Sequence, residues 1–184
     1  MMKKQNRQRQ RAFTLIEILI VIAIITIFAT VILIDSSQGR VRRETENAGR
    51  EMESAMRVAQ NYALTGRKVV DDAIPTTALP CYFMVRWDGG LSSYAITYIY
   101  KNTSSDACSP SGPSFVLATY ALKSGVTFNT TGSFYFSLPH ANIFDGSGAI
   151  TTSKGVIMEK VGIRQIACIY AGGRIERASG STCP

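Results

Sequence analysis

The alternation of polar and apolar positions along the chain changes its period twice. Residues 13–34 read FTLIEILIVIAIITIFATVILI, with 18 apolar positions of 22 and only Thr14, Glu17, Thr26 and Thr30 as exceptions. At 1.5 Å rise per residue this run predicts a helix of about 33 Å, enough for a hydrocarbon core of about 30 Å. Residues 35–65 stay in helical register but are apolar on one face only. Val41, Ala48, Met52, Ala55, Met56, Ala59, Tyr62 and Ala63 recur at spacings of three and four. Glu46 with Arg50 and Glu53 with Arg57 are acid-before-base pairs at i,i+4. Gly66 is the expected C-cap, and Ser36, Ser37 and Gly39 mark an expected bend or local melting.

From about residue 80 the period is two. Strands are predicted over 81–87, 91–100, 115–122, 126–128, 133–138, 155–161, 163–170 and 174–177. Asp88-Gly89-Gly90, Lys123-Ser124-Gly125 and the two-residue Gly172-Gly173 supply turns, and residues 101–114 a loop. The patterns together predict an α+β fold. A long N-terminal helix, transmembrane and then amphipathic, packs on a mainly antiparallel β-sheet head, like a lollipop. The expected divisions are a leader over 1–12, a membrane helix over 13–34, its amphipathic continuation over 35–66, and a β-rich head over 67–184.

Charge refines this picture. The formal net charge is +7, and Lys3, Lys4, Arg7, Arg9 and Arg11 supply five of those charges with no acid among residues 1–12. The remainder holds 15 bases against 13 acids, so the basic balance describes the leader and does not imply nucleic-acid binding. The positive-inside rule puts residues 1–12 in the cytoplasm and the rest outside. A plain signal anchor or a cleaved secretory signal is the simpler reading. A secretory signal, however, has an apolar run of about 7–15 residues ending at a small-residue site, and this run is longer. Glu17 breaks the anchor reading, because a carboxylate inside an apolar run costs several kcal/mol without a partner. A free α-amino group on a neighbouring identical or related chain would supply that partner.

Arg11-Ala12-Phe13-Thr14-Leu15-Ile16-Glu17, with the basic leader before it and the apolar run after it, resembles the processing site of type IV pilins and type II secretion pseudopilins. The family usually carries Gly where this chain has Ala12; Ala is small, so cleavage is still expected, more slowly. The resemblance implies cleavage by a prepilin peptidase between Ala12 and Phe13, N-methylation of Phe13, and pairing of Glu17 with the Phe13 amine of a neighbouring subunit. It implies a pilin-like subunit of a type IV pilus-like filament or secretion pseudopilus. The partners would be other pilin or pseudopilin subunits, the peptidase, an inner-membrane assembly platform and, before assembly, membrane lipid. The location would be the cytoplasmic membrane, single-pass with the head outside, then a periplasmic or surface filament. Residues 56–63, 131–136 with Gly146-Ser147-Gly148, and Gly172-Gly173-Arg174-Ile175 resemble the GspH/FimT-type minor pilins. Some FimT-type minor pilins bind DNA through a C-terminal Gly-Arg-x-Arg. Here Arg177 is displaced by one and Glu176 intervenes, so Arg164, Arg174 and Arg177 are DNA candidates that the sequence does not favour.

The four cysteines, Cys81, Cys108, Cys168 and Cys183, lie in the part expected outside, where disulfides persist. Of three pairings the local ones, Cys81–Cys108 and Cys168–Cys183, are favoured, the second tying the C-terminus to a core strand. No metal site or cofactor is expected: there is no C-x-x-C, and His140 is the single histidine, in a turn. Asp71-Asp72 reads as a solvated linker. Asp145 to Gly148 reads as a hairpin turn before it reads as a calcium loop. Asn102-Thr103-Ser104 and Asn129-Thr130-Thr131 match the glycosylation acceptor pattern and read as chance. Nothing in the pattern points to an enzyme.

Overall fold

In the computed structural model the described residues are 15–69, 74–76 and 78–184, without the side chains of 30–36. The leader, Ala12, Phe13, Asp71 and Asp72 lie outside them. The chain forms two compact units, Met1–Arg40 and Val41–Pro184. Helix α1 is Leu15–Leu64. Residues 36–39 are helical, so the expected local melting there does not occur.

In the second unit the helix ends as the sequence predicts. Gly66 takes φ +60°, the Arg67 N–H donates to the Tyr62 carbonyl at 3.0 Å and the Gly66 N–H to the Ala63 carbonyl at 3.2 Å. This is the glycine-capped arrangement that satisfies the last orphan carbonyls. Glu53 pairs with Arg57 at 2.8 Å as expected, but Glu46 turns back to Arg42 at 3.0 Å and not forward to Arg50.

Ten strands follow: β1 Leu79–Trp87, β2 Ser93–Lys101, β3 Ser114–Ala121, β4 Thr127–Phe128, β5 Gly132–Ser137, β6 Ile143–Asp145, β7 Gly148–Ala149, β8 Ser153–Lys160, β9 Ile163–Tyr170 and β10 Ile175–Ser179. They form a six-stranded sheet in the order β3-β2-β1-β5-β6-β7 and a four-stranded sheet in the order β10-β9-β8-β4. Every pairing is antiparallel. The second predicted strand starts late, at Ser93. Gly90 donates to the Phe128 carbonyl and Phe128 to the Leu91 carbonyl, which holds residues 90–91 against β4.

One hydrophobic cluster joins the helix to both sheets. Ala48, Met52, Ala55, Met56, Ala59 and Ala63 form the buried stripe of α1, and Met52, Met56, Ala59 and Ala63 are fully buried. The alanines let the helix backbone approach closely, while each buried methionine is worth about 1.5–3 kcal/mol. Phe128 of the small sheet packs against Trp87 and Tyr94 of the large one, with ring centroids 6.4 and 6.1 Å apart. Tyr62 of the helix meets Phe83 of β1 edge-on at 5.4 Å. Disulfides join Cys81 to Cys108 and Cys168 to Cys183, the favoured pairing. The predicted two-residue Gly172-Gly173 turn is a three-residue loop, 171–173. Tyr170 donates to the Arg174 carbonyl across it and Gly173 sits at φ +84°.

Candidate functional site

The first site is the N-terminal part of α1. Leu15, Ile16, Ile18, Leu19, Ile20, Val21, Ile22, Ile24, Ile25, Ile27 and Phe28 are all exposed, from 48% at Ile24 to 78% at Leu15. These positions occupy every side of the helix, so no single face can bury them. A helix that is apolar all round needs an apolar surrounding, in lipid or among other helices. Thr26 does not oppose this, since its hydroxyl donates to the Ile22 carbonyl at 2.7 Å and brings no unsatisfied donor. Among the described residues no helix is long and apolar enough to cross a membrane; the predicted span of 13–34 lies only partly within them.

Glu17 is the one charged side chain in this run, and it is exposed. It lies beside Ile18, Val21 and Ile22 along a shallow apolar furrow. Residues 15–34 hold no Lys or Arg that could neutralise this carboxylate from within the described part of the apolar run. Ala12 and Phe13, the expected cleavage and methylation positions, lie outside the described residues.

The second set is Arg164, Arg174 and Arg177. The structure does not bring them onto one face. On β9, Gln165 faces the helix, since both its Cβ and the Arg177 Cδ lie within 3.6 Å of where a side chain on Gly49 would start. Alternation then places Arg164 on the opposite face from Arg177. Arg177 donates to Glu53 of α1 at 2.7 Å. Arg164 is held by Glu159 at 2.6 Å. Arg174 lies over the Tyr170 ring at 4.0 Å and pairs with Glu176 at 3.1 Å. Arg164 and Arg174 share a face but stand at opposite ends of β9, about 20 Å apart at strand rise. Each of the three therefore faces a carboxylate, which offsets the charge a phosphate would need.

The remaining candidates resolve simply. Asp145 accepts the Ser147 N–H at 2.7 Å and pairs with Lys154 at 3.3 Å, so one oxygen serves the β6–β7 turn and the other an ion pair to β8. His140 is exposed in the turn after β5. Among the described residues no group of His, Cys, Asp and Glu could hold a metal. Sequence reasoning passed over Lys160, which bonds Glu44 of α1 at 2.6 Å and also the Ser124 carbonyl, locking the β8 end to the helix. Only the fold brings residues so far apart in the chain together.

Residues 7–33 match a family model described as a prokaryotic N-terminal methylation motif. No curated protein matches the chain. No solved structure matches it either.

Proposed function

We propose that the chain is a structural subunit of a type IV pilus-like filament or a type II secretion pseudopilus. The observation that carries this is the conjunction in α1. The N-terminal stretch of the helix, 15–28, exposed and apolar on every side, holds one carboxylate, Glu17, inside a segment that matches the N-terminal methylation motif. A prepilin peptidase removes residues 1–12 and methylates the Phe13 amine. Before assembly the apolar helix rests in the cytoplasmic membrane with the head outside. During assembly it leaves lipid for a bundle of like helices, and Glu17 meets the Phe13 amine of a neighbour. Inside that bundle an unpaired charge is costly, so the pair selects the correct register and rejects misplaced subunits. The head then presents its surface to the filament exterior. No catalytic role is proposed.

The finer reading, a minor subunit of the GspH/FimT type, is supported by residues 131–136, 146–148 and 172–175. They fall on most of β5, on the β6–β7 turn with the first residue of β7, and on the β9–β10 loop with the first residue of β10.

The test replaces Glu17. Glu17→Leu should leave leader removal and membrane residence unchanged while lowering incorporation into filaments in competition with wild type. Leaving one partner of a buried pair uncompensated costs about 3–5 kcal/mol, a loss of at least about a hundredfold. Equal incorporation of the variant and wild type would overturn the reading.

A further inference from the structure

Within the second unit, α1 and β9 run side by side in the same direction. Lys160, just before β9, bonds Glu44, and Gln60 donates to the Gly173 carbonyl just after it at 2.9 Å. The chain therefore enters the unit, at Val41, at the end where β8 turns into β9. Two more turns lie at this end. Lys160 also donates to the Ser124 carbonyl between β3 and β4, and Gly90, between β1 and β2, donates to the Phe128 carbonyl at 2.8 Å. Gly90, Gly125 and Val161 line one depression.

Two of these turns carry apolar tips. Val161 is 83% exposed and Leu91 54%. Val161 takes φ +49°, which a β-branched side chain resists, so turn geometry does not favour it there. The four carboxylates around the tips are each matched by a base: Glu44 with Lys160, Glu46 with Arg42, Asp88 with Arg86 and Glu159 with Arg164. That leaves Arg43 and Lys123, both exposed and, among the described residues, without an ion-pair or hydrogen-bond partner. This end thus joins two apolar tips to two unmatched cations.

What meets this end follows from where the chain comes from. Only residues 35–40 separate the apolar run 13–34 from Val41. At helical rise they cover about 9 Å, and the polar layer of one leaflet is about 5–8 Å deep. A bilayer around the apolar run therefore has its outer surface at the level where the unit begins.

We propose that, before assembly, this end of the head rests on the outer surface of that bilayer. Val161 and Leu91 dip among the headgroups, and Arg43 and Lys123 meet the phosphates of anionic lipids. The inference rests on the reading above that residues 13–34 lie in lipid at that stage. Apolar side chains flanked by cations suit an interfacial contact: the former leave water, and the latter are drawn to the negative surface. The bilayer is also the partner that the covalent chain itself brings to this end. With two tips and two cations the contact is weak, so assembly can lift the head away from lipid.

The test uses the full chain, one copy per nanodisc, with isotopically labelled Val and Leu methyl groups and a spin label on the lipid headgroups. In phosphatidylcholine discs containing phosphatidylglycerol, the Val161 and Leu91 methyl signals should be broadened away. Those of Leu64 and Leu79, exposed at the opposite end, should persist. Arg43→Glu with Lys123→Glu should lower the relaxation enhancement at Leu91 at least about fivefold, since each base near an anionic surface counts for about that factor. Val161→Asn, which removes the larger apolar tip, should lower it too. The methyl spectrum of each variant shows whether the fold is kept. A second disc, spin-labelled deep in the acyl chains, reports on Val21 of the apolar run. Val21 broadened there, with Val161 and Leu91 relaxing no faster than Leu64 under the headgroup label, would overturn this inference alone. Val21 left sharp would overturn the membrane reading and the inference with it. An unchanged effect at Leu91 in the folded Arg43→Glu, Lys123→Glu variant would also overturn the proposal.

Discussion

Val161 occupies a backbone conformation that disfavours its own side chain. It sits at φ +49° with Gly162 at +77°, in the two-residue turn between β8 and β9, and is 83% exposed. Both turn positions need positive φ, which Asn and Gly accept and a β-branched residue resists. Val161→Asn should therefore raise stability by about 0.5–1 kcal/mol in denaturant unfolding. The opposite case is Gly132, where an added Cβ would lie 2.6 Å from Cζ2 of Trp87, whose ring is buried. Gly132→Ala should cost about 1–3 kcal/mol by overpacking, read by the same unfolding curves. Tyr94 gives a pH-dependent outcome. Burial, then the nearby Glu51 carboxylate and Tyr120, push its hydroxyl up from 10.0 to about 12. The unfolded chain ionises first, so the stability this provides is whole below the unfolded value and is lost as pH rises through the folded one. Wild type should lose more stability than Tyr94→Phe over the window from 10.0 to about 12. None of these environments can be read from the sequence, because each depends on residues brought close by the fold.

At the scale of elements, what was legible depended on length. The helix and its Gly66 cap could be read because the stripe from Ala48 to Ala63 repeats over several turns. β9 could be read to the residue, Ile163–Tyr170, because positive-φ turns bound it at Gly162 and Gly173. β6 and β7, of three and two residues, could not, since a period of two needs more positions to show itself. The choice of Arg42 over Arg50 by Glu46 was hidden too, because both lie one turn away on the same helix face. The disulfides were legible from locality alone. The Cys168–Cys183 bridge closes 15 residues and holds the C-terminal tail against β9. Removing it with Cys168→Ala and Cys183→Ala should cost about 3 kcal/mol in the chain-entropy account. Non-reducing peptide maps of wild type should show both bridges; free thiols at all four positions would contradict them.

For the whole molecule, alternating patterns gave strands but not their partners. The division into two sheets, and the separation of Arg164 from Arg177 by a sheet, became visible only in three dimensions. That separation bears on DNA. Three arginines each set against a carboxylate cannot neutralise a run of phosphates together. The protein should show no DNA binding tighter than the non-specific range of about 10⁻⁴–10⁻⁶ M at physiological salt in an anisotropy titration. Sub-micromolar binding abolished by Arg174→Ala with Arg177→Ala would reverse that conclusion and favour a DNA-capturing subunit. The central claim concerns the other end of the chain, where the methylation motif covers residues 7–33. Intact-mass spectrometry of the protein extracted from its native membrane tests it most directly. The account predicts a mature chain that begins at Phe13 with one added methyl group. A chain that begins at Met1, or one cut after residue 34, would contradict it.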